Sequence, residues 1–181
     1  MTSALPDHFA LFGLAPRFEI DPQELARAHR ALLSQVHPDR HALADAAGRR
    51  VALQWASRAN EAIEVLRSPA ARAAYLCSLH GVEVPREGGG PLPPAFLGWV
   101  MDWREALEEA RERGDIAALT RLSTEAATRR GELEAALSAR IDRQGDHAGA
   151  VAEIRSLVFV EKLAAEAQAA LARAADPTLL S

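Results

Sequence analysis

Apolar residues recur every three or four positions along most of the chain, and this spacing predicts helices. One helical pattern begins near Asp21 and a second ends at Leu66, with His37, Pro38 and Asp39 between them. Proline stops a helix, and an adjacent aspartate favours a tight turn. The sequence therefore predicts a two-helix hairpin whose tip is exposed, and we expect that tip to contact a partner molecule.

The two arms of the hairpin have apolar faces that are predicted to pack on each other. These faces consist of Leu25, Ala28, Leu32 and Val36 on the first arm and Val51, Trp55, Ala62 and Leu66 on the second. Arg27 and Arg30 project to the other side of the first arm, and Arg40 follows the turn. An isolated pair of arginines is usually a solvated face. Beside the exposed tip, we favour a basic docking strip that attracts an acidic partner.

Glycines and prolines are concentrated between residues 81 and 93, which predicts a linker. Three long helical patterns follow it, at residues 94–113, 115–143 and 146–174. Short connections between long helices favour antiparallel packing, hence a three-helix bundle. No segment shows the sustained alternation of a strand, so the predicted fold class is all-α. The predicted organisation is an N-terminal hairpin domain at 1–80, a linker at 81–93 and a bundle at 94–181.

The first helix of the bundle has two different faces. Its predicted core residues are Phe96, Trp99, Val100, Trp103, Leu107 and Ala110. Leu97 and Met101 project to the opposite side, together with Asp102, Glu105 and Glu109. Single exposed apolar residues are common on protein surfaces, which is one interpretation of this pair. A small apolar spot bordered by carboxylates is also typical of a binding face, which is the interpretation we favour.

The composition limits the class of protein. The 181 residues are 49% hydrophobic and 25% charged, which suits a globular protein of one or two domains. Residues 82–181 hold twelve Lys or Arg and seventeen Asp or Glu, and this acidic balance argues against a nucleic-acid partner. The single cysteine, Cys77, fits a reducing cytoplasm. Met1 to Asp7 lack a basic leader and no stretch approaches the roughly 18 apolar residues of a membrane span, so we expect neither export nor membrane insertion.

The six histidines do not form a recognisable catalytic or metal site. His37 and His41 are four residues apart, but Pro38 interrupts the helix that would align them. Three other histidines lie near the ends of predicted elements, where capping or solvent exposure is expected; they are His8, His80 and His147. Cys77 lies among leucines, which predicts a buried and inert thiol. The chain also lacks a phosphate-binding glycine-rich motif, so we predict no enzyme activity, no cofactor and no bound ATP.

Several motifs resemble a J-domain across roughly residues 6 to 80. They are His8-Phe9-Ala10-Leu11-Phe12-Gly13-Leu14, the His37-Pro38-Asp39 tripeptide, and Asn60-Glu61-Ala62-Ile63-Glu64-Val65-Leu66-Arg67-Ser68-Pro69 followed by Arg72 and Tyr75. J-domains are the modules by which co-chaperones engage heat-shock-70-type ATPases. The resemblance implies that His37, Pro38 and Asp39 activate ATP hydrolysis on the chaperone. It also implies that the supporting positive charges are Arg27, Arg30 and Arg40.

Three further segments narrow the resemblance to HscB-type co-chaperones of iron–sulfur cluster assembly. They are Tyr75-Leu76-Cys77-Ser78-Leu79-His80-Gly81, Pro94-Ala95-Phe96-Leu97 followed by Arg104-Glu105, and Ile154-Arg155-Ser156-Leu157-Val158-Phe159-Val160-Glu161-Lys162-Leu163. The resemblance implies an L-shaped arrangement of two domains. It implies two protein partners, a heat-shock-70-type chaperone that is HscA-like and an iron–sulfur scaffold protein that is IscU-like.

In that family an outer apolar patch of the bundle, bordered by acids, holds the scaffold. The matching positions here are Leu97, Gly98, Met101 and Phe159, with Asp102, Glu105 and Glu109 as the border. Gly98 departs from the pattern, because a large apolar residue is expected there. For Phe159, core packing and scaffold binding both stay open. An alternative function keeps the J-domain but presents unfolded chains, or another assembly factor, to a general chaperone.

Overall fold

The computed structural model of the chain describes residues 6–36, 46–85 and 92–175. Within these residues the secondary structure is helical and contains no strand, which confirms the predicted all-α class. Throughout the same ranges, no helix has both the length and the apolar character needed to cross a bilayer. The chain divides into two compact units, Met1–Gly81 and Val82–Ser181.

The first unit is built around a long central helix. In its described part the helices are α1 (His8–Leu11), α2 (Pro22–Val36), α3 (Ala46–Arg67) and α4 (Pro69–Leu79). As predicted for the hairpin, α2 packs against α3, and α1 and α4 pack on α3 as well. Side-chain caps begin the two short helices: Asp7 accepts from two backbone N–H groups of α1, and Ser68 accepts from the Ala71 N–H of α4.

The interface between α2 and α3 agrees with the predicted apolar faces except at Val51. Leu25, Ala62 and Leu66 are buried. Three other residues of the predicted faces are partly buried, namely Ala28, Leu32 and Trp55. The side chain of Val36 is outside the part of the chain that the structure describes. Val51 is 50% exposed, so its predicted packing is wrong. The buried stripe of α3 passes through the neighbouring Ala52, and one residue along a helix turns the side chain by about 100°.

The second unit is the predicted three-helix bundle. Its helices are α5 (Pro94–Arg113), α6 (Ile116–Leu137) and α7 (Val151–Ala175), which pack pairwise around a shared apolar core. Trp99 contacts Glu125 and Trp103 contacts Leu122, so the partner number falls as the α5 number rises. This order makes α5 and α6 antiparallel. Gly114, with a φ of 60°, ends α5, because a left-handed backbone favours glycine.

The connection between α6 and α7 differs from the prediction. The α-helix ends at Leu137 and continues as a π-helical segment, Ser138–Arg143, and α7 begins at Val151 and not at residue 146. Asp146 accepts the Gly149 N–H at 2.8 Å and an Arg140 guanidinium N–H at 2.8 Å. These bonds hold residues 146 to 150 in a turn. The 3.6-residue hydrophobic period does not reveal such side-chain hydrogen bonds. For that reason the start of α7 was predicted too early.

Candidate protein-binding surfaces

The predicted activating tripeptide, His37, Pro38 and Asp39, lies outside the described residues, as does Arg40. Their function stays a prediction from the sequence. The structure describes the helices on both sides of this segment, α2 as far as Val36 and α3 from Ala46 onward. The surface that can be analysed in the first unit is therefore the outer side of α2.

Both predicted arginines of α2 are exposed, on the side away from the buried Leu25. The Arg27 Nη2 atom lies 3.8 Å from the Asp21 Oδ2 atom, and the two side chains are 60% and 53% exposed. A long, solvent-exposed ion pair of this kind contributes little to stability. Arg30 has no ion pair with any residue that the structure describes. Both guanidinium groups are therefore accessible to an acidic partner.

The two faces of α5 differ sharply in exposure. The buried face consists of Phe96, Val100, Trp103, Leu107 and Ala110, each at most 7% exposed. On the opposite face Leu97 is 44% exposed and Met101 is 71% exposed. Asp102, Glu105 and Glu109 are exposed on that outer side as well. The predicted division of α5 into a core face and an acidic face with two apolar residues is thus observed.

The predicted acidic residues have different surroundings. Glu109 Oε1 lies 2.6 Å from Arg113 Nη2, in an i, i+4 pair. Asp102 and Glu105 have no ion pair within the described ranges. A carboxylate without a nearby cation keeps its charge available for a partner. Asp102 and Glu105 therefore carry most of the unneutralised negative charge beside Met101.

The acidic surface extends farther along α5 than the sequence analysis proposed. Glu108 and Glu112 are also exposed, and Glu108 is paired with Arg111 at 2.7 Å. They follow Met101 by seven and eleven residues, a spacing that returns to the same side of a helix. The helical projection could have identified both residues. With them, the outer face is apolar near the start of α5 and acidic toward its end.

Trp99 packs against the bundle core, as predicted, but from the flank of α5 and not from the centre of its buried face. It is partly buried, and its indole N–H donates to Glu125 of α6 at 2.6 Å. On the other flank the Arg111 guanidinium donates to the backbone carbonyl of Glu166 in α7 at 3.5 Å. An indole N–H needs a polar partner, and such a partner is found at the edge of a core. The two contacts join the flanks of α5 to α6 and α7, and Leu97 lies on the exposed side of the helix.

Gly98 and Phe159 complete the predicted scaffold-binding set. Gly98 is exposed on α5, and a Cβ atom added there would meet no described atom within 4 Å. Phe159 of α7 is partly buried and packs against the bundle core. Core packing therefore accounts for part of the Phe159 side chain. Its proposed binding role stays a prediction.

His8 and Cys77 are buried in the first unit. His8 is 8% exposed and its ring stacks on Tyr75, with 4.3 Å between the ring centroids. Of the two alternatives predicted for a histidine at an element end, capping or solvent exposure, exposure is therefore wrong. The reason is that the short helix α1 packs on α3. Burial lowers the pKa of His8 and raises the pKa of the Cys77 thiol. The structure confirms the predicted burial of Cys77, and the inertness of its thiol stays a prediction.

No group of three or more His, Cys, Asp or Glu residues suited to a metal ion occurs in the part of the chain that the structure describes. The features that stand out are two exposed surfaces, one basic on α2 and one apolar and acidic on α5. Each combines charge with accessibility, as protein-binding surfaces do.

Comparisons with known proteins agree with these features. Residues 92–168 match the family model of the HSCB C-terminal oligomerisation domain. A Co-chaperone protein HscB homolog from Bordetella petrii is 48% identical over 167 residues, covering 92% of this chain and 97% of the relative. A homolog of the same name from Ralstonia nicotianae is 45% identical and covers 97% of this chain and all of the relative.

Solved structures show the same fold. The chaperone HscB from Vibrio cholerae has a TM-score of 0.81 at 35% identity, covering 90% of this chain and 96% of that one. Because the sequence identity to full-length relatives approaches one half across nearly the whole chain, the likeness extends beyond the fold. The chain therefore belongs to the HscB family of co-chaperones.

Proposed function

We propose that this protein stimulates the ATPase of a heat-shock-70-type chaperone and delivers an iron–sulfur scaffold protein to it. The chaperone is HscA-like and the scaffold is IscU-like. The observation that supports scaffold binding most directly is the exposure of Leu97 and Met101, at 44% and 71%, beside Asp102 and Glu105, which have no ion pair within the described ranges. Membership of the HscB family supports a co-chaperone role in iron–sulfur cluster assembly.

The scaffold-binding surface is the outer face of α5. Leu97 and Met101 contribute apolar area that is removed from water when the scaffold binds. Asp102, Glu105 and Glu109 attract a partner with basic residues and set its orientation. Gly98 lies among these residues, and Phe159 of α7 adds the accessible part of its ring.

The chaperone-binding surface belongs to the first unit. His37, Pro38 and Asp39 are the activating segment, and Arg27, Arg30 and Arg40 attract the acidic surface of the chaperone. Because both binding surfaces belong to one chain, a bound scaffold is held near the chaperone at a high effective concentration. Hydrolysis of ATP then occurs while the scaffold is present. The ATP is bound and hydrolysed by the chaperone.

Scaffold binding is tested with Leu97→Ala and Met101→Ala, measured by calorimetric titration with purified scaffold. Each change is expected to weaken the affinity by about tenfold, as truncation of a central apolar residue of an interface does, whereas most peripheral residues have smaller effects. Ile116→Ala is the matched control, because Ile116 is 50% exposed on α6 of the same unit. Undetectable scaffold binding, or equal effects at all three positions, would contradict the proposal. Preferential binding of unfolded chains would favour the alternative client.

Chaperone activation is tested by measuring the chaperone's ATPase rate with this protein, with and without the scaffold. The wild-type protein is expected to raise the rate, and the scaffold is expected to increase it further. His37→Gln is expected to abolish the stimulation while the circular dichroism spectrum stays unchanged. Full stimulation by His37→Gln would eliminate the proposed role of the tripeptide.

A further inference from the structure

Few sulfur atoms occur in this chain, and those that the structure describes have opposite surroundings. The sequence holds two methionines, Met1 and Met101, and one cysteine, Cys77. Met1 lies outside the described residues. Cys77 is 0% exposed, whereas Met101 is 71% exposed. Because oxidation of a sulfur atom depends on its exposure, we expect an oxidant in solution to reach Met101 and not Cys77.

The helix surface around Met101 leaves its thioether uncovered. Long side chains of a helix lean over the turn that precedes them. For Met101 this turn contains Gly98, which has no side chain, and Leu97, which is itself 44% exposed. No described atom lies within 4 Å of the Cβ position at Gly98. Glycine, in place of the large apolar residue expected at position 98, therefore makes the sulfur of Met101 more accessible.

The acidic residues beside Met101 limit the class of oxidant that approaches it. Asp102 follows it directly and Glu105 follows it by four residues, and neither has an ion pair within the described ranges. Unneutralised carboxylates repel an anionic oxidant and do not hinder an uncharged one. The class of oxidant that fits this surface is therefore an uncharged peroxide.

We propose that Met101 is a redox-sensitive modification site, at which a peroxide reversibly weakens the binding of the scaffold. The inference rests on the proposed function of the outer face of α5. In the reaction with hydrogen peroxide, the thioether sulfur forms a bond to one oxygen, the oxygen–oxygen bond breaks, and the other oxygen leaves as water. The sulfur is oxidised and the peroxide is reduced. Methionine sulfoxide reductases reverse the change.

Oxidation changes the chemistry of the apolar spot that Met101 forms with Leu97. The sulfoxide is polar and accepts hydrogen bonds from water, so its removal from water on binding has a cost that the thioether does not have. Because Met101 is exposed, its oxidation leaves the folded core intact. Delivery of the scaffold to the chaperone is therefore expected to slow while peroxide is present and to recover after reduction.

The test treats the full-length protein with hydrogen peroxide, removes the peroxide with catalase, and titrates the product with untreated scaffold in a calorimeter. Peptide mass spectrometry is expected to find one added oxygen on Met101, and a thiol assay of the unfolded product is expected to find Cys77 unchanged. Scaffold affinity is expected to fall about tenfold, as loss of a central apolar contact does. The thermal unfolding midpoint is expected to stay constant, and treatment with methionine sulfoxide reductases is expected to restore the affinity.

Met101→Leu is the matched variant, because leucine keeps an apolar side chain at this position and has no sulfur. The variant retains Met1 and Cys77, so an effect of oxidation at either of these residues would still appear in it. Its affinity is compared with its own value before peroxide treatment, and the two values are expected to be equal.

The outcomes separate the inference from the proposed function. If the untreated wild-type protein binds scaffold and the Met101 sulfoxide binds equally well, only the redox inference is overturned. An equal loss of affinity in peroxide-treated Met101→Leu also overturns it, because the effect would then belong to another residue. The same follows if Met101 gains no oxygen under conditions that oxidise free methionine. If the untreated wild-type protein shows no scaffold binding, the proposed function and the inference both fail.

Discussion

Trp99 of α5 donates its indole N–H to Glu125 of α6, with 2.6 Å between Nε1 and Oε1. The guanidinium carbon of Arg129 lies 5.8 Å from the centre of the Trp99 ring, so a cation also covers this edge of the bundle. On its inner side the ring contacts Trp103, with 6.4 Å between centroids. Trp99 therefore joins the apolar core to a polar contact between two helices.

Trp99→Phe is expected to lower the free energy of unfolding by about 1 kcal/mol, because a hydrogen bond to a carboxylate is lost at a partly exposed site. Urea unfolding of Trp99→Phe, Glu125→Ala and the double variant measures the coupling between the two residues, expected to be about 0.5–1.5 kcal/mol. Glu134→Ala is the control, since Glu134 pairs with Arg130 on the same helix. Strictly additive effects of Trp99→Phe and Glu125→Ala would show that the contact contributes nothing.

Gly149→Ala is expected to destabilise the bundle by roughly 1–3 kcal/mol, as overpacking does. An added Cβ atom would collide with the Asp146 carboxylate and the Arg140 guanidinium. Both groups are held in place, because Arg140 also donates to Glu153 Oε1 at 2.7 Å. Urea unfolding is the measurement, and Gly131→Ala, where no described atom is close, is the control that should be stabilised. A stable Gly149→Ala protein would mean that the turn adjusts freely.

Acid is expected to destabilise the first unit through His8. Burial lowers the pKa of His8 from its ordinary 6.5, so the folded protein binds this proton more weakly than the unfolded chain does. Below pH 6.5 the unfolded chain takes up more protons, and the stability contributed by neutral His8 is lost as the pH falls through its folded pKa. Urea unfolding midpoints measured across this pH range test the expectation.

His8→Phe keeps a ring to stack on Tyr75 and removes the titrating group, so this variant is expected to lose less stability in acid than the wild-type protein. His80→Phe is the control at an exposed position and is expected to keep the wild-type acid response. An NMR titration of the imidazole protons reads the His8 pKa directly. A value at or above 6.5 would contradict the effect of burial.

Reversing the charges of α2 is expected to weaken chaperone activation. Arg27→Glu combined with Arg30→Glu replaces two exposed positive charges, and the concentration needed for half-maximal ATPase stimulation is expected to rise about tenfold at low salt. The difference from wild type should shrink at high salt, because ions screen exposed charges. Arg121→Glu, at an exposed position of α6, is the control and should have little effect. A loss that is independent of salt would argue against electrostatic attraction.

Much of the fold follows from local patterns. The 3.6-residue period identified α5 and its buried residues, including Phe96 and Leu107, because burial of one helix face requires apolar residues at that spacing. The same projection left Leu97 and Met101 on the outer side, where the structure exposes them. Helix-breaking residues predicted both ends of α5, because Pro94 begins the helix and Gly114 follows it.

Other features depend on contacts between residues that are far apart in the chain. The burial of His8 requires Tyr75, which is 67 residues away, and the flank position of Trp99 requires a carboxylate on α6. The late start of α7 depends on the bonds of Asp146 with Arg140 and Gly149. A helical period reports only which residues share a face of one helix.

The sequence by itself determined the all-α class, the division of α5 into two faces and the residues proposed to bind partners. Only the tertiary structure decided which flank residues are half-buried, how the bundle helices are joined and that the fold leaves open space around Gly98. The physical reason is that periodicity is a property of one segment, whereas packing and side-chain hydrogen bonds are shared between segments that meet only after folding.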